Sequence, residues 1–185
     1  MLIKAAPSPL MPNNGFIVPN LDFVNAKGLY SIQKLDISAS LSHAIAGIDT
    51  AQLCIVSGEQ VWCVHADILC LSDDGSVFPA ALYALTEALK DLVIDGKILN
   101  LDVLPIAVSI GILPPLLSDL KTTEGIQKCR LLVDPTEDEE SLVEGVITIV
   151  LNAVDSTILS LHKTGRPIGK EDLIDSIAIA TAYLK

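Results

Sequence analysis

The chain has 185 residues, half of them hydrophobic, a formal net charge of −11 and two arginines, Arg130 and Arg166. A surface that grips RNA or nucleotide phosphates by charge would carry a basic patch, and this composition argues against one. Aromatic residues, at 4%, are too few for a base-stacking platform, and no apolar run approaches a membrane helix in length.

The mean hydropathy of +0.52 is high, so the apolar surplus must fill a core or cover a protein partner. The four cysteines, Cys54, Cys63, Cys70 and Cys129, form no CxxC pair, and three lie in apolar strand-like segments. That suits buried thiols in a reducing compartment. Lys4 is followed by Pro7, Pro9 and Pro12 instead of an apolar signal region. The cytosol or nucleus is the expected compartment.

Met1 to Asn14 is Pro-rich and weakly patterned, and Gly15 to Leu21 is a brief extended run before a Pro-Asn turn. Asp22 to Leu35 reads as loop. Asp36 to Ile48 reads as a helix with Ile37, Leu41, Ile45 and Ile48 on one stripe. Leu53 to Val56 is a short strand, turned through Ser57–Gln60 into the central strand Val61 to Leu71. That central stretch is rich in β-branched and aromatic residues and free of Gly and Pro.

Asp73, Asp74, Gly75 and Ser76 supply turn chemistry, and Pro79 opens a helix that runs to Leu92. Asp95-Gly96 is a turn. Ile98 to Leu101, Ile106 to Ile112 and Leu131 to Val133 are strand candidates. Asp134 to Glu140 is an acidic turn, and Val146 to Leu151 pairs with Thr157 to Leu161. Lys163 to Gly169 is a Gly- and Pro-containing loop before a last helix, Lys170 to Leu184, with Glu171 and Asp172 in its first turn. The whole reads as α+β, and any catalytic residues are expected at the turn between the central strand and its helix.

Three constellations carry possible chemistry. Cys63, His65 and Asp67 alternate along one strand face, but a closed zinc site needs a fourth group, and a half-buried strand face explains them as well. Gly165-Arg166-Pro167-Ile168-Gly169-Lys170 falls one residue short of a phosphate loop, and Glu171 stands where a hydroxyl would hold magnesium. Glu137, Asp138, Glu139 and Glu140 are adjacent acids, which splay apart instead of converging on a cation. No metal site and no cofactor is expected. No G-x-S-x-G surrounds a serine, and His43, His65 and His162 carry no motif.

Several segments together resemble a known family. They are Gly15-Phe16-Ile17-Val18-Pro19-Asn20-Leu21-Asp22, Val61-Trp62, Asp67-Ile68-Leu69-Cys70-Leu71, Asp74-Gly75 and Pro79-Ala80-Ala81. Leu131-Leu132-Val133-Asp134-Pro135-Thr136, Glu139-Glu140 and Leu161-His162-Lys163-Thr164-Gly165 continue the match in order over nearly the whole chain. The chain resembles the RNase PH-like ring subunits of the eukaryotic RNA exosome. The resemblance implies two related α+β halves, the first like domain 2 of ribosomal protein S5, here N-terminally truncated. The expected division is 1–97 and 98–185.

Active relatives degrade RNA from the 3′ end with phosphate as the attacking group. They carry an arginine in a phosphate loop before the central helix and a catalytic aspartate in the strand after the acidic turn. The matching positions here are Phe78 and Val146, with Glu140 retained upstream. Phosphorolysis needs cationic donors for phosphate and an acid for the leaving oxygen. Neither side chain supplies them, so no catalytic residue is expected.

The resemblance therefore implies a non-catalytic structural subunit supporting 3′-to-5′ RNA processing and degradation, rRNA maturation included. Its implied partners are other RNase PH-like ring subunits, S1/KH cap subunits and RNA passing through the ring, in the nucleus, nucleolus and cytoplasm. Lys163, Arg166 and Lys170 are the candidate RNA contacts. Two other classes remain open at this point: an active phosphorolytic exoribonuclease with a displaced site, and a free-standing small-molecule binding domain that shares only the fold. The edge of the Val61–Leu71 strand and the Pro-rich N-terminal run are the candidate protein interfaces.

Overall fold

The structure, a computed structural model, describes residues 1–24, 30–114 and 129–184, and of the side chains at 30–35 nothing is described. The expected loop at Asp22–Leu35 lies partly outside them. The chain divides into two compact units: Met1–Ser72 with Ala80–Pro105, and Asp73–Pro79 with Ile106–Lys185.

In the first unit the central strand is β4 (Gln60–Cys70). β1 (Leu2–Ala5) runs antiparallel along Val61–Val64. On the other side β2 (Phe16–Phe23) runs parallel to Cys63–Cys70, and β3 (Cys54–Val56) closes a hairpin onto Gln60 and Val61. Gly58, at φ +75°, makes that hairpin turn. Helix α1 (Tyr30–Ala44) is tied to β2 where the Leu21 N–H donates to Ser38 Oγ at 3.3 Å. Leu21, Leu41, Leu53 and Val61 are fully buried here, each worth roughly 1.5–3 kcal/mol over an exposed side chain. β5 (Val93–Ile94) and β6 (Lys97–Ile98) form a small hairpin across Asp95-Gly96, both at positive φ.

Helix α2 (Val77–Lys90) buries Ala81, Leu82, Leu85, Thr86 and Leu89. The 3- and 4-residue spacing of these positions is the helical stripe the sequence shows. Thr86 is buried without penalty because its hydroxyl donates to the Leu82 carbonyl at 2.9 Å.

In the second unit four strands take the order β10-β9-β7-β8. They are β7 (Pro105–Leu113), β8 (Arg130–Val133), β9 (Gly145–Asn152) and β10 (Ile158–Gly165). The core unites Val108, Ile110, Ile112, Ile147, Ile149 and Leu151 with Ala180 of helix α4 (Lys170–Tyr183). The alternate positions of β9 are covered as well: Thr148 and Val150 are buried, and Thr148 Oγ1 lies 3.1 Å from Ser109 Oγ of β7. β9 therefore reads as a continuous apolar run instead of an alternating one.

Several elements depart from the sequence reading. β1 was not legible as a strand: four residues before a proline are too short for a period to show. β2 runs straight through Pro19-Asn20, where a turn is expected; as an edge strand it tolerates a residue without an N–H. α1 begins at Tyr30 and ends at Ala44, so Ile45 and Ile48 are buried just beyond it. β10 continues through Lys163–Gly165, expected as loop, because the ladder to β9 extends to Gly145. Of the expected strand Ile98–Leu101 only Ile98 is in a strand, the second arm Lys97–Ile98 of the β5–β6 hairpin, and Leu99–Leu101 are irregular.

Candidate functional site

The turn after the central strand, Asp73–Pro79, belongs to the second unit, where it meets the acidic turn Pro135–Glu140. The sequence sets each side locally. Asp73 accepts the Gly75 N–H on its side chain at 3.0 Å, closing an Asx turn. Gly75 and Ser76 are both left-handed, at φ +88° and +50°. Opposite them, Thr136 and Glu139 form a reciprocal capping box at the start of the one-turn helix α3 (Glu137–Glu140).

Three hydrogen bonds join the two turns. The Glu137 N–H donates to the Asp74 carbonyl at 3.1 Å. The Ser76 N–H donates to Glu140 Oε1 at 2.9 Å, and Ser76 Oγ donates to the Pro135 carbonyl at 3.3 Å. A Cβ on Gly75 would stand 2.5 Å from the Pro135 carbonyl oxygen and 2.7 Å from the Thr136 carbonyl carbon. Only glycine satisfies both the backbone angle and that approach.

The electrostatics are one-sided. Across residues 73–79 and 134–140 stand seven carboxylates, Asp73, Asp74, Asp134, Glu137, Asp138, Glu139 and Glu140, and no lysine, arginine or histidine. The start of α2 would attract an anion by its dipole, but the anion it holds is the protein's own Glu140. Phe78, in the first turn of α2, and Val146, near the start of β9, are both half-buried and neither can bind phosphate or move a proton.

The candidate RNA contacts lie elsewhere in this unit. Lys163 in β10 donates from Nζ to the Gly165 carbonyl at 3.1 Å. Arg166 pairs with Glu144 at 2.5 Å, and that bond and charge push the guanidinium above its ordinary value. Lys170, the first residue of α4, is exposed. Gly165 ends β10 and Gly169 is the N-cap of α4 without a side-chain cap, so the six-residue run that resembles a phosphate loop spans a strand end and a helix start. Cys63 Sγ lies 3.5 Å from His65 Nε2, while Asp67 accepts from Asn20 at 3.4 Å. Among the described residues no three His, Cys, Asp or Glu side chains converge as metal ligands.

Sequence reasoning missed the bond from Ser76 to Glu140, whose partners are 64 residues apart. A local signal for the receiving turn did exist: Thr136-x-x-Glu139 is a capping-box signature.

These two α+β units, each built on a four-stranded sheet, have the fold of an exosome core subunit. The chain aligns over 99% of its length, at TM-score 0.81 and 20% identity, with 73% of a chain of the Archaeoglobus fulgidus exosome with RNA bound to the active site. Residues 104–183 match the 3′ exoribonuclease family, domain 2. Over 174 residues the chain is 29% identical to exosome complex component rrp43 of Schizosaccharomyces pombe, covering 87% of this chain and 64% of that protein. It is 31% identical over 137 residues to exosome complex component Rrp42 of Methanosarcina acetivorans, covering 72% of this chain and 48% of that one. Residues 104–183 belong to the 3′ exoribonuclease family, domain 2, and the chain as a whole is similar to RNase PH-like exosome subunits. It spans less than two thirds of the length of these curated relatives.

Proposed function

We propose that this chain is a non-catalytic structural subunit of an RNA exosome core ring. In that role it supports 3′-to-5′ RNA processing and degradation, including rRNA maturation, in the nucleus, nucleolus and cytoplasm. Its partners are other RNase PH-like ring subunits, S1/KH cap subunits and the RNA that passes through the ring. Head-to-tail ring contacts are heterologous, and a chain with this apolar content can supply the two different faces they need.

The observation that carries the non-catalytic reading is the paired turn at Ser76 and Glu140. Phosphorolysis must hold an attacking anion against the loop before α2. That loop and the turn opposite it together carry seven carboxylates and no cation, and its Ser76 N–H already has a carboxylate partner. Two unit charges at 4 Å repel by roughly 1 kcal/mol in water, so carboxylates beside the loop oppose a phosphate where a cation would attract it.

The test incubates the purified chain, alone and assembled with ring partners, with short RNA and inorganic phosphate. Assembly without release of nucleoside diphosphates supports the proposal. Nucleoside diphosphate release that is lost on Glu140→Gln overturns it in favour of an enzyme with a displaced site. A chain that joins no RNase PH-like partner overturns the ring role.

A further inference from the structure

A cavity of about 310 Å³ lies within the first unit, and all of its lining falls between Gln52 and Leu99. That volume is in the range of sites that hold small ligands. The buried Ile94 and Leu99, the half-buried Trp62 and the exposed Ile98 are its apolar lining, and Asp95 and Lys97 are its charged groups.

The sequence sets this lining locally. Asp95-Gly96, at φ +50° and +77°, turns β5 into β6 and places Ile94 opposite Lys97. An Asp-Gly pair is favoured where both turn residues take positive φ. The turn brings Asp95 to Trp62, whose indole Nε1 donates to Asp95 Oδ2 at 3.1 Å. A carboxylate has about four acceptor sites, so Asp95 keeps capacity for two further donors. Gln52 is committed to the backbone instead: it donates to the Asn100 carbonyl at 2.9 Å and accepts the Asn100 N–H at 2.9 Å. Among the described residues Lys97 has no ion pair. A second cation, Lys4, stands with its Nζ 5.5 Å from the centroid of the Trp62 ring.

These groups describe a ligand. It has a flat ring to lie against the indole, two donors on one edge for Asp95, and an anionic tail for Lys97. Among the nucleobases guanine meets the second condition, with N1–H and N2–H side by side on its pairing edge. We infer that this cavity is a binding site for a guanine nucleotide, with Asp95 accepting from the base, Trp62 packing against it and Lys97 meeting its phosphate. An arginine side chain is also flat with paired donors, but Lys97 and Lys4 oppose a cation here. The nucleotide is either free or an unpaired residue of an RNA strand, where bases are read by stacking and by their pairing edges. The aromatic content excludes a platform for many bases and suffices for one. The inference goes beyond the ring role and stands without it.

Trp62 is the only tryptophan in the chain, so its fluorescence reports the site. GMP is expected to quench it saturably, and UMP to bind about tenfold more weakly for want of the paired donors. Asp95→Asn keeps a residue that tolerates the left-handed turn angle and is expected to remove that preference. Lys97→Ala is expected to reduce GMP binding to that of guanosine, which lacks the phosphate. A short single-stranded RNA with one guanosine separates the two sources. Tighter, salt-sensitive quenching by the RNA assigns the strand, quenching no tighter than that of GMP assigns the free nucleotide, and both support the site. Absence of saturable quenching by GMP and by the RNA overturns the inference. Equal binding of GMP and UMP also overturns it, as does a guanine preference that survives Asp95→Asn. Tighter binding of N-acetylarginine amide than of GMP overturns it too, because the occupant is then a protein side chain.

Discussion

The backbone N–H of Ser76 donates to the carboxylate of Glu140 at 2.9 Å, across 64 residues of sequence. Ser76 is the residue before α2 and Glu140 ends α3. The helix start that could receive a foreign anion thus receives one from its own chain.

Glu140→Ala is expected to cost about 1 kcal/mol in chemical denaturation. A hydrogen bond to a charged group is worth about 1.5–3 kcal/mol when shielded, and Glu140 is exposed, so the cost falls below that range. Glu140→Gln keeps an acceptor and is expected to cost less. Amide exchange at Ser76 should accelerate in the alanine variant and mark the bond directly.

Gly75→Ala is expected to be far worse than Gly58→Ala. Both residues are at positive φ, +88° and +75°. At Gly58 a Cβ would meet nothing within 4 Å, so the cost is only the backbone preference, about 1 kcal/mol. At Gly75 it would collide with the Pro135 and Thr136 backbone, which cannot swing aside. A difference in melting temperature between the two variants checks this; equal effects would contradict the packing of the two turns.

The hydroxyl pair in the second sheet predicts a non-additive cycle. Ser109 Oγ and Thr148 Oγ1 are buried 3.1 Å apart. Thr148→Val leaves the Ser109 hydroxyl without this partner and is expected to cost about 1–3 kcal/mol. Adding Ser109→Ala should recover part of that loss, because both polar groups are then gone. Urea denaturation of the three variants reads the coupling.

Burial pushes the Cys129 thiol up, and its hydrogen bond to Asp172 and that carboxylate's charge push it further. Burial alone raises Cys63. A thiol whose folded value lies above its unfolded one stabilises the fold below the unfolded value, about pH 8.5. That contribution fades as pH rises through the folded value. Stability should therefore decline above about pH 8.5, and Cys129 should alkylate more slowly than an ordinary thiol. Asp172→Asn removes a charge beside the sulfur and is expected to speed alkylation of Cys129.

The sequence shows much of this architecture, for reasons that sort by distance along the chain. Val61–Leu71 declares β4 by composition, and the spacing of Ala81, Leu85 and Leu89 declares α2, because both signals lie within one element. β1 and the Lys163–Gly165 end of β10 are strands only because a distant partner offers a ladder, at Val61–Val64 and Gly145–Ile147 respectively. Local composition does not record that. At the candidate site the turn chemistry of Asp73–Ser76 is legible, and the resemblance points to Phe78, Val146 and Glu140. The bond that joins Ser76 to Glu140 is tertiary and leaves no local pattern.

The most direct test titrates inorganic phosphate into the purified chain while following the amide resonances of Gly75, Ser76 and Val77. Shifts that stay small and do not saturate, in the wild-type chain as in Phe78→Ala, are the predicted result. A saturable shift centred on Ser76, strengthened at higher phosphate and lost on adding sulfate in excess, would contradict an anion-excluding loop.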